Sequence, residues 1–563
     1  MKKSIYGILA LVFLIAVGGY YYATFPPINI HEPMFWGTLL VICIALAVIF
    51  GLRSLRGMTG RGGVHLSDVK KFPLLAKLFL TLAVLVVAIY IGGSVAGSTI
   101  FRARTYASLM PVKNYEFSED IEESNKVTDI ALMDTESARK FGNRKIGSLS
   151  DVVSQYEVEA DYTQISIQGH PMKVSSLKYA SFFKWWNNRG KGIPGYVKVN
   201  PINSEAEYVP LEHGMKYVPS GYFNDNLQRH VQLSYPTKII SGYHFEIDDE
   251  GKPFYICPTM KPRVGLFGGM DVNGVIICNP VDGKCDYYAV DQIPAWVDCV
   301  YAGKLLTKKY DWFGTLSGGF WNSIIGQKGC KVTTDDFGYK IIGDDVWAYT
   351  GVTSVNGDQS NIGFVLMNQR TSEAKYYKVS GAEEHSAMES AQGAVQEKRY
   401  KASFPSLINV AGQPTYIMVL KDSGGLVKMY AMVNVEQYNI VATATSQTEV
   451  FAKYRKMLAS AGDVETSEEN LKEKTVTVES VQFVDTEDGT MVYVKDTEHG
   501  VYKQAFKDNE DLIRISAGDV LVVEYEQLTE DQNEIHQIRN FKFAGDGEAV
   551  SSPSPAPSSP SGL

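Results

Sequence analysis

Motifs that would identify a reaction are missing from this sequence of 563 residues. It has no Gly-x-Ser-x-Gly nucleophile elbow, no His-Glu-x-x-His metal motif and no phosphate loop ending in Gly-Lys-Ser/Thr. Ser317, in TLSGG, lacks the first glycine of the elbow. The residues therefore indicate no catalytic site, no cofactor and no metal ligand, and hydrolysis by a known motif is disfavoured.

Positive charge is also in deficit. The chain carries 54 Lys and Arg against 63 Asp and Glu, which gives a formal net charge of -9 at pH 7. A nucleic-acid surface needs a stripe of Lys and Arg, with interleaved aromatic residues where single strands bind. The sequence has no such stripe, so nucleic acid is not an expected partner.

Cysteine is scarce, at six residues. Cys43 lies inside an apolar run and is expected to pack there as a small apolar side chain. The other five contain no Cys-x-x-Cys pair, which argues against zinc; they are Cys257, Cys278, Cys285, Cys299 and Cys330. Cys278 and Cys285 flank a predicted hairpin turn, so a disulfide between them is geometrically reasonable. A chain of this size needs no such staple, and an anaerobic host would leave all five reduced, so both alternatives stay open.

Three long apolar runs occupy the first hundred residues, at 5–25, 35–52 and 78–98. Each is close to the ~20 residues that cross a bilayer as a helix, so residues 1–100 are predicted to be a three-helix membrane anchor in contact with lipid. Cations precede the first run and fill the loop between the second and third: Lys2, Lys3, Arg53, Arg56, Arg61, Lys70 and Lys71. By the positive-inside rule, the N-terminus is cytoplasmic and the chain beyond about residue 100 is extracytoplasmic.

One spacing recurs three times in the middle of the chain: a glycine, four mostly apolar residues, an asparagine, and a tyrosine eight positions later. The residues are Gly195, Asn200 and Tyr208; Gly274, Asn279 and Tyr287; and Gly363, Asn368 and Tyr376. An apolar strand, an Asn that hydrogen-bonds its own backbone, and an aromatic residue on the return strand are typical of a β-hairpin. Because the hairpin recurs, several copies of one small fold are predicted.

The surrounding pattern predicts an α+β fold. Residues 101–150 are predicted to be a helical connector, because residues 116–150 are polar with a helical pattern. One pair of α+β repeats is predicted at 151–330, and a second pair, whose last member is degenerate, at 331–445. Turns of the form Gly-x-Pro lead into a strand in three of these repeats, at Gly169, Gly251 and Gly412.

The C-terminal part of the chain has a different pattern. Residues 446–474 predict a capped helix followed by a charged linker. Five alternating strands at 475–545 predict a small β-barrel with OB-like or SH3-like closure. The Ser/Pro-rich residues 546–563 cannot bury apolar surface and are expected to be disordered.

Aromatic residues are the one feature in excess. Five tryptophans lie close to the first two hairpins along the chain, and with one acid they form a candidate partner-binding surface: Trp185, Trp186, Trp296, Asp298, Trp312 and Trp321. Exposed on one face, they would offer a platform for a sugar ring or a protein. The alternative is that they fill seams between repeats, with Asp298 as a polar anchor there or as a helix cap.

The hairpin segments resemble a known family. GKPFYI with GVIICNPVDGKCDYY, and GQPTYIMVL with MYAMVN, resemble PepSY-type repeats over about residues 240–445. The stretches KWWNNRGKGIPGYVKVNP, GLFGGMDVNGVIICNP and IPAWVDCVY are similar to multi-span surface proteins of anaerobic Gram-positive bacteria, some labelled CvpA-like. The PepSY resemblance implies a regulatory or inhibitory contact with an exported peptidase or wall hydrolase.

Three functional hypotheses follow from these patterns. The first is a non-enzymatic, membrane-anchored extracytoplasmic protein that binds or regulates another envelope or exported protein. The second is an envelope-assembly scaffold in which the repeats act as a rigid spacer and bury their tryptophans. The third is an enzyme with an unfamiliar site near Trp296 and Asp298, which a pocket with facing carboxylates would favour.

Overall fold

The computed structural model describes residues 2–55, 73–124, 130–355, 360–461, 471–486, 489–526 and 535–544. The chain forms two compact units, Met1–Glu123 with Asp129–Ser446, and Ser124–Thr128 with Gln447–Leu563. Helices and several sheets alternate along it, which confirms the predicted α+β class. The predicted tail at 546–563 and part of the predicted linker within 446–474 lie outside the described residues.

Three helices open the first unit: α1 (Lys2–Thr24), α2 (Pro33–Leu55) and α3 (Leu74–Ala96). Within the described residues, two segments are long and apolar enough to cross a bilayer, Pro33–Gly51 and Leu74–Ala96. The first helix adds a shorter apolar segment, Leu11–Thr24. Length and composition thus support a membrane anchor, whereas the third span and the cytoplasmic N-terminus stay predictions.

The end of α1, the start of α2 and the end of α3 lie against the rest of the first unit. The Ile28 N–H donates to the Pro236 carbonyl at 2.7 Å, and His31 Nδ1 lies 2.9 Å from the Leu266 carbonyl oxygen. Gly93 of α3 leaves room for Leu266, since a Cβ there would lie 2.9 Å from its Cδ2. The apolar helices are therefore docked directly onto the folded part of the unit.

The segment 101–150 is not the purely helical connector that the sequence predicts. It contributes a strand, β1 (Val112–Tyr115), as well as the helices α4 (Thr99–Ala107), α5 (Phe117–Asp120), α6 (Thr135–Gly147) and α7 (Ser150–Val153). In β1, Val112 pairs in parallel with Ala374, far along the chain. A parallel pair joins segments that are distant in sequence, so nothing local in VKNY signals the partner.

Four sheets follow, and they share one strand order. The third sheet also has β1, which pairs with its last strand. Leaving β1 aside, each sheet has five strands, of which the third along the chain pairs with the first, the second and the fourth, and the last pairs with the fourth. A helix precedes each sheet. We call each sheet with its helix a repeat and number the repeats one to four in chain order.

The elements of the four repeats are as follows. Repeat one contains α6, β2 (Tyr156–Val158), β3 (Thr163–Ile167), β4 (His170–Tyr179), α8 (Phe182–Asn188), β5 (Ile193–Val199) and β6 (Ala206–Met215). Repeat two contains α9 (Leu227–Ser234), β7 (Ile239–Ile240), β8 (His244–Ile247), β9 (Pro253–Val264), β10 (Gly268–Cys278) and β11 (Cys285–Ala289). Repeat three contains α10 (Gly303–Leu316), β12 (Lys331–Thr333), β13 (Gly338–Ile342), β14 (Asp345–Ser354), β15 (Ser360–Asn361), β16 (Gly363–Asn368), β17 (Ala374–Tyr377) and β18 (Gly381–Ala382), with β15 paired to β18. Repeat four contains α11 (Glu384–Gly393), β19 (Lys401–Ala402), β20 (Ser406–Val410), β21 (Gln413–Lys421), β22 (Val427–Asn434) and β23 (Val441–Ala444).

Buried apolar clusters join successive repeats. One joins repeats one and two, where the rings of Tyr196 and Phe245 are 5.7 Å apart. A second contains residues of repeats two and three. A third joins repeats three and four, where Phe364 and Tyr416 meet edge to face at 5.8 Å. The four repeats, predicted as two pairs at 151–330 and 331–445, therefore belong to one unit.

The repeated Gly and Tyr residues have one geometry in three repeats. Each Tyr lies opposite the residue two positions after its Gly, with Tyr208 opposite Val197, Tyr287 opposite Ile276, and Tyr376 opposite Val365. A Cβ on each glycine would lie 2.6 to 2.7 Å from a ring carbon of that Tyr, for Gly195, Gly274 and Gly363. Glycine is needed at these positions because the ring covers the backbone there.

The repeated Asn closes the turn with its own side chain. Its Oδ1 accepts the N–H two positions on, at 2.8 Å for Asn200, 2.9 Å for Asn279 and 2.7 Å for Asn368. Asn434 makes the same bond in repeat four, at 2.9 Å. There the loop is one residue longer, and Met429 and Thr443 take the Gly and Tyr positions. The degenerate unit predicted from Gly412 thus keeps the turn and lacks the Gly–Tyr pair.

The second unit contains, within its described residues, one α-helix, five strands and two short 3-10 helices, Phe506–Asp508 and Glu510–Arg514. The α-helix and the strands are α12 (Gln447–Ala461), β24 (Leu471–Thr486), β25 (Gly489–Asp496), β26 (Val501–Ala505), β27 (Val520–Glu526) and β28 (Ile535–Phe543). The strands pair in the closed order β24-β25-β26-β28-β27, and Val494, Tyr502 and Leu521 are among the residues they bury. The OB-like or SH3-like assignment stays a prediction.

Candidate binding cleft

A cleft of about 710 Å³ lies among repeats one, three and four. Its lining comes from the segment before α6, from β4, from β13 and β14, and from the end of β21. Three of its charged side chains come from well-separated parts of the chain: Asp134, Lys173 and Lys421. The apolar lining includes Met133, Tyr339 and Tyr349. The tertiary fold therefore assembles a mixed polar and apolar site that no local sequence motif predicts.

Asp134, at the N-terminus of α6, links this helix to Lys421 at the end of β21. Its Oδ1 accepts the Ser137 N–H at 2.8 Å, which satisfies one of the free N–H groups at the start of the helix. Its Oδ2 accepts a hydrogen bond from Lys421 Nζ at 2.6 Å. Burial alone would raise the pKa of Asp134, but the bonds from Lys421 and Ser137 outweigh burial and lower it. Asp134 is therefore a charged carboxylate committed to these two partners.

Lys421 is equally committed. Besides its ion pair with Asp134, its Nζ donates to Ser137 Oγ at 3.2 Å. Both partners belong to the start of α6, whereas Lys421 ends β21. The contact therefore ties repeat four to repeat one across one side of the cleft.

Lys173 differs from Lys421, because it is buried in the cleft wall without an acidic partner. Its exposed fraction is 4%, and its Nζ donates a long hydrogen bond, 3.4 Å, to Thr135 Oγ1. Among the described residues, no carboxylate oxygen forms an ion pair with this Nζ. Burial lowers the pKa of Lys173 to about 8, although the charge of Asp134 opposes the effect. An ammonium group has three donors, so Lys173 keeps donor capacity for a ligand.

The rim of the cleft carries charges of both signs. Lys140 pairs with Glu136 one helical turn earlier at 3.0 Å, and Asp422 pairs with Lys428 at 3.5 Å. These two acids already have cationic partners. They therefore compete little for the buried amine of Lys173.

Asp298, predicted as a polar anchor, lies in a buried acid cluster between repeats. Its Oδ2 accepts the Ser166 N–H at 2.7 Å, and its Oδ1 lies 3.2 Å from an Nη of Arg370. Glu246 accepts the N–H of Asp298 itself at 3.0 Å. Burial raises the pKa of Glu246 to about 7, and burial together with repulsion from Glu246 raises that of Asp298 to about 8. These contacts join repeats one, two and three, so the cluster is a structural junction.

The predicted tryptophan surface is not formed as one site. Trp185 is 2% exposed, and Trp296 and Trp312 are half-buried against other aromatic rings. Trp186 and Trp321 are exposed, at 48% and 68%. Trp186 lies in α8, whereas Trp321 follows α10. Trp185, Trp296 and Trp312 therefore pack inside the protein, as the alternative predicts. Trp186 and Trp321 do not.

No protein-family model matches this chain, and no curated protein matches it either. Function must therefore be argued from the site. In the sequence, Asp134 only opens the polar run Thr135 and Glu136, and no motif marks Lys173 or Lys421. Lys173 lies in a stretch of β4 that is buried on both faces, which only the structure shows.

Proposed function

We propose that this chain is a membrane-anchored, extracytoplasmic binding or regulatory protein that makes and breaks no bond. The cleft is its recognition site, and the ligand is an acidic segment of another envelope or exported protein. The observation that carries the proposal is the Lys173 amine, which is buried, lines an open cleft and has no acidic partner among the described residues.

Energetics favour a ligand carboxylate at this amine. Burying an ammonium ion without a counter-charge costs several kcal/mol, and a carboxylate within hydrogen-bond distance offsets part of that cost. Asp134 forms no ion pair with Lys173, since its oxygens bind Ser137 and Lys421, and its charge offsets the cost only in part. Residues flanking the acid can pack on Tyr339, Tyr349 and Met133 of the lining.

An extended segment also has a strand to pair with. β19 lies at the edge of its sheet, and its residues Lys401 and Ala402 line the cleft. A peptide that adds to such an edge gains main-chain hydrogen bonds and places alternate side chains in the cleft. The resemblance to PepSY-type repeats supports an exported peptidase or wall enzyme under regulatory control as the class of partner.

Acidic peptides are expected to bind the full chain more tightly than matched neutral peptides. Two fluorescent hexapeptide pools, one with Asp and Glu and one with Asn and Gln at the same positions, are titrated against the protein in nanodiscs by anisotropy. We expect the acidic pool to bind at least about tenfold more tightly, because one charge-assisted pair contributes at least about 1.4 kcal/mol. Equal affinity of the two pools would contradict the proposal.

Exposed apolar side chains near the docked helix ends support a membrane location. Tyr222 and Phe223 line a groove together with Tyr22 and Phe25 at the end of α1. Aromatic residues with an apolar body and a polar edge favour the membrane interface. Two further exposed apolar residues, Phe183 and Trp186 of α8, lie beside this groove. Three more follow α10: Trp321, Ile324 and Ile325. The helix α10 packs on α4, which comes directly after α3. We place these side chains in the outer leaflet interface.

Trp186 and Trp321 are therefore expected to be quenched by lipid. The full chain is reconstituted in vesicles whose acyl chains are brominated close to the headgroup, and tryptophan emission is compared with that in unbrominated vesicles. The quenched part of the emission should fall in Trp186→Tyr and in Trp321→Tyr. Trp347→Phe, which alters a buried residue of repeat three, should leave it unchanged. Unchanged quenching in both interface variants would remove this support.

A rigid spacer for envelope assembly is the second candidate, and the docking of the repeats on the apolar helices favours it. Asn29 donates to the Thr237 carbonyl at 2.8 Å, and Arg229 donates to the Tyr22 carbonyl at 2.9 Å. A spacer needs no ligand, so it predicts no preference for acidic peptides. An enzyme centred on Asp298 has less support, because Asp298 and Glu246 are buried in the junction between repeats.

A further inference from the structure

Two cysteines face each other across the hairpin of repeat two. Cys278, at the end of β10, pairs directly with Cys285, at the start of β11. The adjacent pair is closed by the Asn279 N–H, which donates to the Lys284 carbonyl at 2.8 Å, so the cysteines occupy a non-hydrogen-bonded position. Cα atoms at such positions are about 4.5 Å apart, inside the range that a disulfide spans. The two Sγ atoms are 3.0 Å apart.

A histidine completes the cluster. One ring nitrogen of His230, in α9, lies within 4.8 Å of the Sγ atoms of both Cys278 and Cys285. Its Nε2 lies 2.7 Å from the Gly283 carbonyl oxygen, and its ring packs on Tyr217 with centroids 4.1 Å apart. The imidazole is therefore fixed in place beside the thiols.

The two thiols differ in access. Cys278 is buried, whereas Cys285 is half-buried. A reagent from solution therefore reaches Cys285 first. Cys257, on the neighbouring strand β9, and Cys299 are both buried.

We propose that Cys278 and Cys285 are a reversible dithiol switch, in which Cys285 attacks an external disulfide, Cys278 resolves the mixed disulfide, and His230 positions and activates Cys285. The oxidant is a small-molecule or protein disulfide. The switch depends neither on an acidic ligand in the cleft nor on the orientation in the membrane.

The exchange balances in two steps. The Cys285 thiolate attacks one sulfur of the external disulfide, whose S–S bond breaks and releases one thiolate, which takes up a proton. Cys278 then loses its proton and attacks the Cys285 sulfur, which forms the cross-strand disulfide and releases the second external thiol. Two protein thiols are oxidised and one disulfide is reduced to two thiols. External thiols in excess reverse both steps.

The electrostatics agree with these roles. The hydrogen bond with Cys278 and the contact with His230 lower the pKa of Cys285 to about 6, although burial opposes this. The hydrogen bond with Cys285 and burial raise the pKa of Cys278. Burial raises the pKa of Cys257 and Cys299 as well. Since the thiolate is the nucleophile, Cys285 is the reactive thiol of this group.

The test uses the full chain in detergent. The protein is equilibrated with oxidised glutathione, quenched in acid, alkylated and mapped by mass spectrometry. We expect loss of two alkylated thiols, a cross-linked peptide joining residues 278 and 285, and recovery with dithiothreitol. Cys278→Ser should stop at a glutathione adduct on Cys285, and Cys285→Ser should leave Cys278 alkylated. His230→Gln should slow closure about tenfold without changing the product.

Three results would overturn the proposal. The first is that both thiols stay alkylated in the folded protein while the urea-unfolded protein cross-links. The second is that the adduct forms on Cys257 or Cys299 first. The third is that the reduced protein retains stoichiometric zinc that protects both thiols from glutathione.

Discussion

Replacing Gly363 with alanine is expected to lower the free energy of unfolding of the first unit by about 3 kcal/mol, because a rigid, filled site must accept a methyl group. A Cβ at Gly363 would lie 2.4 Å from the Tyr377 carbonyl oxygen and 2.6 Å from the Tyr376 ring. The backbone oxygen belongs to the neighbouring strand and cannot yield without disturbing the pairing of β16 with β17. Thermal unfolding of the full chain in detergent, followed by intrinsic fluorescence, measures the effect.

Two further variants make this prediction specific. Gly393→Ala adds the same methyl group at the exposed end of α11, where nothing lies within 4 Å, and should change stability by less than about 0.5 kcal/mol. Tyr376→Thr copies the residue type that repeat four has at this position. In a double-variant cycle with Gly363→Ala, it should recover about 1 kcal/mol of the loss, because the ring clash disappears and the backbone clash stays. Additive effects would show that the ring does not limit the site.

Lys173→Met is expected to make the protein more stable and worse at binding. A lysine pKa lowered from 10.5 to about 8 corresponds to about 3 kcal/mol that the charged amine costs the folded state. Methionine fills a similar volume without charge and removes that cost. The same change deletes the donor for the ligand carboxylate, so affinity for the acidic peptide pool should fall at least about tenfold.

The free energy of unfolding is expected to depend on pH through Lys173. Between pH 8 and pH 10.5 the unfolded chain still holds the Lys173 proton that the folded chain has lost, so folding stability rises with pH in that window. The cost of the charged amine is therefore complete below about pH 8 and is relieved as the pH approaches 10.5. The stability advantage of Lys173→Met over the wild type should be largest at neutral pH and should disappear in that window. Comparing the two proteins at each pH cancels Lys340, whose pKa burial also lowers to about 8.

Lys178→Met is the matched control for this experiment. Lys178 lies on the same strand, is partly exposed and pairs with Glu157 at 3.6 Å. Exposed pairs of this kind contribute at most about 1 kcal/mol, so neither stability nor peptide affinity should change much. A loss of stability in Lys173→Met at neutral pH would show that a partner inside the protein already compensates the amine.

The hairpins were the part of the fold most accessible to sequence reasoning. Gly195 and Tyr208 are separated by a fixed number of residues because one turn, closed by Asn200, fixes the register between two strands. The same local chemistry recurs in repeats two and three. In repeat four the hairpin could not be predicted from the Gly–Tyr spacing, because Met429 and Thr443 occupy those two positions. The turn at Gly412 was the recurring feature that marked this repeat.

Other features depended on contacts between distant segments. The parallel pairing of β1 with β17 moved part of the predicted connector into a sheet. The buried clusters between successive repeats joined all four repeats into one unit. Burial also divided the tryptophans, because Trp185 packs under Tyr222 and Phe223 while Trp186, its neighbour in sequence, faces outward.

Apolar helices, hairpin turns and the α+β class could be read from the chain because each depends on the length or chemistry of a few consecutive residues. The cleft could not, because Asp134, Lys173 and Lys421 come together through the packing of separate repeats. Whether a lysine is a solvated surface charge or a buried amine without an acidic partner depends on the solvent and the side chains around it. Those surroundings are set by long-range packing, which leaves no trace in local spacing.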